Sequence, residues 1–185
     1  MAQINSFSTN VGSLLGITLS ATTNPTTTEV QDWLLRGAKE LILQMPLRRL
    51  EKLYSPVAGS GSGQSQEVLG IVRLATVYNN TDKQPYEIVS KEIGQRFPYE
   101  SAFTPYYAWI FEDDVYINRG TMDDVDIQCI VLPTGTTDWA PIFEEAIIEF
   151  ALAKAKIPET DYSAWQAFYA DWRKRLQTVE EIGEL

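Results

Sequence analysis

PYYAWIFEDDVYI, residues 105–117, is the stretch whose reading decides the fold. Tyr106, Ala108 and Ile110 alternate with Tyr107, Trp109 and Phe111, the period of two that belongs to a strand. After Glu112, Asp113 and Asp114 the alternation resumes at Val115, Tyr116 and Ile117. Two extended runs joined by a short polar link predict a hairpin, with cross-strand aromatic pairs worth roughly 0.2–1 kcal/mol each. The three acids then form its tip, because Asp readily accepts hydrogen bonds from nearby backbone N–H groups. The competing reading is a carboxylate site in an aromatic pocket. EDDV lacks the spaced oxygen ligands of a calcium loop. A second acidic run, DDVD at 123–126, reads as another loop entry. A two-metal site built from both runs, or a facing pair of glycosidase carboxylates, needs a cleft that no spacing here selects.

Outward from the hairpin the β pattern continues. VLGIVRLATVY (68–78) predicts a strand with Ile71, Arg73, Ala75 and Val77 on one face and Val72, Leu74, Thr76 and Tyr78 on the other. VDIQCIVLP (125–133) predicts another. EIVSKEIGQRF (87–97) is ambiguous: Ile88 and Val89 read as extended, and Ser90 to Phe97 as one or two helical turns. PYESAFTP (98–105) reads as a loop bracketed by prolines. SPVAGSGSGQSQ (55–66) reads as a flexible glycine–serine link. It has the glycines of a phosphate loop but neither its lysine nor a leading strand.

Helices flank this region. In TTEVQDWLLRGAKELILQMP, Thr28 is the expected cap with Gln31 reaching back. Val30, Leu34, Ala38, Leu41 and Met45 follow helical spacing, and Pro46 stops the run. LRRLEKLY (47–54) predicts a short second helix. DWAPIFEEAIIEFALAKAKI predicts a long one, with Pro141 in its first turn, acids early and lysines late. Phe143, Ile147, Phe150 and Ala151 make one stripe. Ile148, Leu152 and Ala155 widen it, so this helix is expected to be buried on more than one side. YSAWQAFYADWRKRL places Trp165, Phe168, Tyr169, Trp172 and Leu176 on one helical face. The tail QTVEEIGEL (177–185) carries Val179, Ile182 and Leu185 among acids and is a candidate docking peptide. Residues 1–27 carry no charged side chain and read as an arm. Its Leu14, Leu15, Ile17 and Leu19 can dock on their own domain or on a neighbouring subunit.

The expected fold class is α+β. A helical bundle of N- and C-terminal helices (28–54 and 140–176) receives an inserted antiparallel β-sheet and hairpin region (67–133). With 15 basic against 25 acidic side chains, the net charge of −10 argues against a basic nucleic-acid-binding patch. There is no histidine, and Cys129 is the single cysteine, so no intrachain disulfide forms and a buried apolar role is expected for the thiol. No basic leader precedes an apolar stretch, and no apolar run approaches the roughly 18 residues of a membrane span. A soluble chain made in a cytoplasm is expected.

Three stretches together resemble the head-to-tail adaptor (connector) proteins of tailed bacteriophages. They are the opening helix TTEVQDWLLRGAKELILQMP, the middle PYEIVSKEIG, TPYYAWIFEDDVYINRG and VDIQCIVLPT, and the closing FEEAIIEFALAKAKI and YSAWQAFYADWRKRL. The resemblance runs over residues 26–176 and rests on order and spacing. It implies a virion protein at the head–tail junction, forming a homo-oligomeric ring of about twelve copies that lines the DNA channel. Its implied partners are the portal protein and a downstream tail or neck protein. Double-stranded DNA passes without specific binding, and no cofactor, metal or catalytic residue is implied. On this resemblance the portal-docking role falls on Arg173, Arg175, Leu176, Val179, Ile182 and Leu185. The tip acids Glu112, Asp113 and Asp114 would face the tail or the lumen. Another neck or tail-completion protein, or a carboxylate-based hydrolase, are the alternative functions.

Overall fold

The computed structural model describes residues 2–96, 105–139, 141–158 and 160–182. The chain opens with β1 (Ala2–Gln3), α1 (Ile4–Leu15) and α2 (Thr27–Gln44). Two 3₁₀ turns, Leu47–Arg49 and Glu51–Leu53, lead into β2 (Ser55–Ala58), β3 (Ser65–Glu67), β4 (Ile71–Asn79), β5 (Gln84–Pro85) and β6 (Glu87–Ile88). A single helical turn, α3 (Lys91–Gly94), precedes β7 (Tyr107–Phe111) and β8 (Asp114–Ile117). A 3₁₀ turn at Met122–Asp124 then enters β9 (Val125–Val131). The chain closes with β10 (Asp138–Trp139), α4 (Pro141–Lys156) and α5 (Tyr162–Ile182). The class is mixed α+β, with five α-helices and two four-stranded sheets among the described residues. Two compact units form: Met1–Met45 with Pro133–Leu185, and Pro46–Leu132.

In the helical unit, the expected arm carries the twelve-residue helix α1. Ile4, Phe7 and Val11 fall on one face of α1 and are fully buried, and α1 lies against α2 and α4. The low helix propensity of its Ser, Thr and Asn residues is overridden by this tertiary burial. β1 pairs with β10, and Asn5 N–H donates to Gly135 O at 2.9 Å. α2 starts earlier than expected, because Thr26 caps it rather than Thr28. The Glu29 carboxylate accepts from Thr26 N–H at 2.8 Å, while Thr26 Oγ1 accepts from Glu29 N–H at 3.2 Å, a complete capping box. Val30, Leu34, Ala38 and Leu41 are buried and α2 packs along α4. α4 begins at Pro141, later than expected, because Asp138–Trp139 at the head of the predicted helix form β10 instead.

The strand-rich unit holds two sheets, ordered β2-β9-β4-β5 and β3-β8-β7-β6. All pairings are antiparallel except β6 with β7. The predicted hairpin is β7–β8, with Trp109 opposite Tyr116 and Phe111 opposite Asp114. Three expectations are corrected here. Residues 47–54 are two 3₁₀ turns of this unit, not a helix of the other one. β4 does not alternate cleanly, because register shifts at Ile71/Arg73 and Leu74/Thr76 turn it, leaving Ile71, Leu74 and Val77 buried. The glycine–serine link is built into the sheets, since β2 pairs with β9 and β3 with β8. Between them Gly59 N–H donates to Val125 O at 2.8 Å and Met122 N–H to Gly63 O at 2.9 Å. At Gly59 a Cβ would stand 1.9 Å from Met122 O, so glycine is required by a close backbone approach rather than for flexibility. The loop expected at 98–105 lies outside the described residues except for Pro105.

Candidate functional site

The hairpin tip brings Glu112 and Asp113 into a two-residue turn, with Glu112 at φ +57°. Asp113 is fully engaged with its own unit. Its Oδ1 accepts from Gly70 N–H at 3.0 Å and its carbonyl from Val68 N–H at 2.7 Å. The side chain thus pins the turn between β3 and β4. Asp114 accepts from the Tyr116 hydroxyl at 3.4 Å, and the Tyr116 ring stacks on Trp109 at 5.6 Å between centroids. Burial, then the charge of Asp114, raises the Tyr116 phenol above its ordinary value. Glu112 is exposed and makes no side-chain hydrogen bond among the described residues. The second acidic run behaves like the first. Asp123 Oδ1 accepts from Gly61 N–H at 2.5 Å, and Asp124 accepts from the Thr121 hydroxyl at 3.4 Å. Among the described residues no three His, Cys, Asp or Glu side chains converge in a group that could hold a metal ion. Cys129 is buried in the sheet core, and burial alone raises its thiol above the usual value, the opposite of what a nucleophile needs.

α5 is capped by Asp161, whose Oδ1 accepts from Ala164 N–H at 3.0 Å. Trp165, Phe168, Tyr169 and Trp172 gather around Phe150 of α4. Trp172 is fully buried and its indole N–H donates to Ala146 O at 3.0 Å. Burial, with the Glu40 carboxylate as hydrogen-bond partner, pushes the Tyr169 phenol well above its ordinary range. The predicted docking residues divide along this helix. Arg173 is exposed, with its guanidinium 5.5 Å from the Tyr169 ring centroid. Arg175 bridges Glu149 and, at 2.9 Å, Asp171. Leu176 is buried, so it holds α5 in place rather than presenting a surface. The side chains of Val179 and Ile182 and the whole of Leu185 lie outside the described residues.

A further surface feature lies between α1 and α4. A groove of about 650 Å³ has Leu14, Ile148 and Leu152 along its floor and Glu144, Glu145 and Glu149 on its rim. Leu14 continues the stripe of Ile4, Phe7 and Val11 by one turn but is 61% exposed, unlike those three. Asn10 donates its side-chain amide to Glu144 at 3.1 Å, which ties the two helices across one end. Burial raises the Glu149 carboxyl above its ordinary value, outweighing the neighbouring Arg175 that lowers it, and Glu145 adds to the rise. Sequence reasoning found half of this site. Ile148 and Leu152 stand out as a second apolar face of α4, but the opposing wall depends on α1, which the low-charge N-terminus concealed.

No protein-family model matches the chain, and no curated protein matches it in sequence. Among the described residues no helix is long and apolar enough to cross a membrane.

Proposed function

We propose that the chain is a structural adaptor that joins a capsid portal to the tail of a bacteriophage particle and lines the DNA channel as a ring. The observation that carries this reading is the order of elements. The helices of residues 27–44 and 141–182 enclose, in chain order, a segment in which the strands of both four-stranded sheets lie, an order that supports the resemblance over residues 26–176. On this reading the terminal helices act as a bundle and the strand-rich segment as the insertion between them. Supporting it, the carboxylates of Asp113 and Asp123 hold backbone turns of their own unit. The acidic surface suits a wall that DNA must slide along without sticking.

Portal docking in this proposal falls on Arg173 and on the tail residues Val179, Ile182 and Leu185, with Arg175 and Leu176 anchoring α5 behind them. The tip contact falls on Glu112, because Asp113 is committed to Gly70. The experiment is deletion of residues 177–185, followed by co-purification with the portal protein of the same particle. The truncated chain is expected to keep its circular dichroism and melting profile and to lose the portal. Undiminished portal binding by the truncated chain sinks the docking assignment.

A further inference from the structure

We propose that the α1–α4 groove is a docking site for a segment of another protein that carries apolar side chains flanked by lysine or arginine. The proposal stands apart from the adaptor reading and uses a different surface from the C-terminal tail.

The floor supplies the first argument. α1 buries Ile4, Phe7 and Val11 completely, yet Leu14, one turn beyond Val11, is 61% exposed. Across from it, on α4, stand Ile148, only 8% exposed, and the half-buried Leu152, so Leu14 is the apolar residue of the groove most open to a partner. The α4 face around Phe150 is already covered by the α5 aromatics. Residues 148 and 150, or 150 and 152, are about 200° apart around a helix, so α5 does not cover both faces.

The rim supplies the second argument. Glu145 and Glu149 are four residues apart on α4, a like-charge spacing that weakens a helix. A cation lying between them reverses that effect. The molecule already shows the match in one place, where Arg175 of α5 reaches Glu149. No cation pairs with Glu145 among the described residues.

Charge also chooses the occupant. The chain's own tail has apolar residues at Val179, Ile182 and Leu185 but interleaves them with Glu180, Glu181 and Glu184. Three more carboxylates against this rim are repelled, whether the tail belongs to the same molecule or to another copy. A basic, apolar segment meets attraction on both rim and floor.

The test uses the full-length chain and a fluorescein-labelled synthetic peptide of about five helical turns, with leucine along one face and lysine on both flanks. A second peptide replaces every lysine with glutamate. Fluorescence anisotropy reads binding. Leu14→Asp and Glu145→Lys alter exposed side chains, and thermal melts confirm that both variants fold. Glu67→Lys, an exposed acid on β3, is the charge-matched control. The proposal predicts binding of the lysine peptide only, weakened at least about tenfold by Leu14→Asp and by Glu145→Lys and little changed by Glu67→Lys. Equal weakening by Glu67→Lys means diffuse attraction to an acidic protein and overturns the site. Absence of lysine-peptide binding also overturns it. So does concentration-dependent self-association that Leu14→Asp abolishes, because the occupant is then a second copy. None of these outcomes bears on portal binding by the tail.

Discussion

Two sets of acids, one in each unit, behave in opposite ways. In the strand-rich unit Asp113 and Asp123 turn inward onto their own chain and satisfy the backbone N–H groups of Gly70 and Gly61. In the helical unit Glu144, Glu145 and Glu149 line the rim of an apolar groove, with Arg175 paired to Glu149 and Asn10 hydrogen-bonded to Glu144. The first arrangement spends its charge on fixing a fold. The second leaves charge and apolar surface side by side, the pattern on which the docking proposal rests. Acidic clusters alike in sequence therefore differ in surroundings, and the difference lies in what stands opposite each carboxylate.

The contrast is broken most strongly at the clamped link. Gly59→Ala places a Cβ 1.9 Å from Met122 O and 2.6 Å from Val125 O. It is expected to destabilise by about 3 kcal/mol in urea unfolding, the scale of overpacking a rigid site. Gly61 has positive φ (+96°) and open space around it, so Gly61→Ala is expected to cost only about 1–2 kcal/mol, from conformation alone. Equal effects at both positions would mean that the link is not clamped against β9. Asp113→Ala removes the acceptor for Gly70 N–H near the surface. A loss of about 1 kcal/mol is expected by the same measurement, and no loss would return the tip acids to a role outside the fold.

A pH series sharpens the other side. Glu149 is held above its ordinary value by burial, so it binds a proton more tightly folded than unfolded. Its contribution to stability is full below the unfolded value, near 4.5, and is lost as pH rises through the raised folded value. Glu149→Gln should remove that decline from a plot of Tm against pH. A decline that persists unchanged assigns it to another group. The smallest effect is expected at Leu14→Asp, within about 0.5 kcal/mol of the parent in urea, because the side chain holds nothing in place. A large loss there would make the groove floor part of the core.

Much of this architecture is visible in the order of residues. The hairpin shows because period two survives on both sides of a polar tip, and α4 and α5 show because their apolar stripes run for several turns. The start of α2 is displaced because Thr26, Thr27 and Thr28 offer equivalent caps, and only the carboxylate at Glu29 chooses among them. α1 is concealed by Ser, Thr and Asn, although Ile4, Phe7 and Val11 already carry helical spacing. The link misleads for a different reason. Glycine permits freedom and close approach alike, and Gly61 meets Asp123 across 62 residues of sequence. The groove is half legible for the same cause, since Leu14 and Ile148 meet only through the packing of two distant helices. Strand β4 departs from its predicted alternation because its bulges depend on the register of β9.

The measurement that tests the functional account most directly is copy number in purified particles, by quantitative mass spectrometry against the major capsid protein. The adaptor reading predicts about a dozen copies per particle, in line with one closed cyclic ring. Hundreds of copies, or absence from the particle, would contradict it.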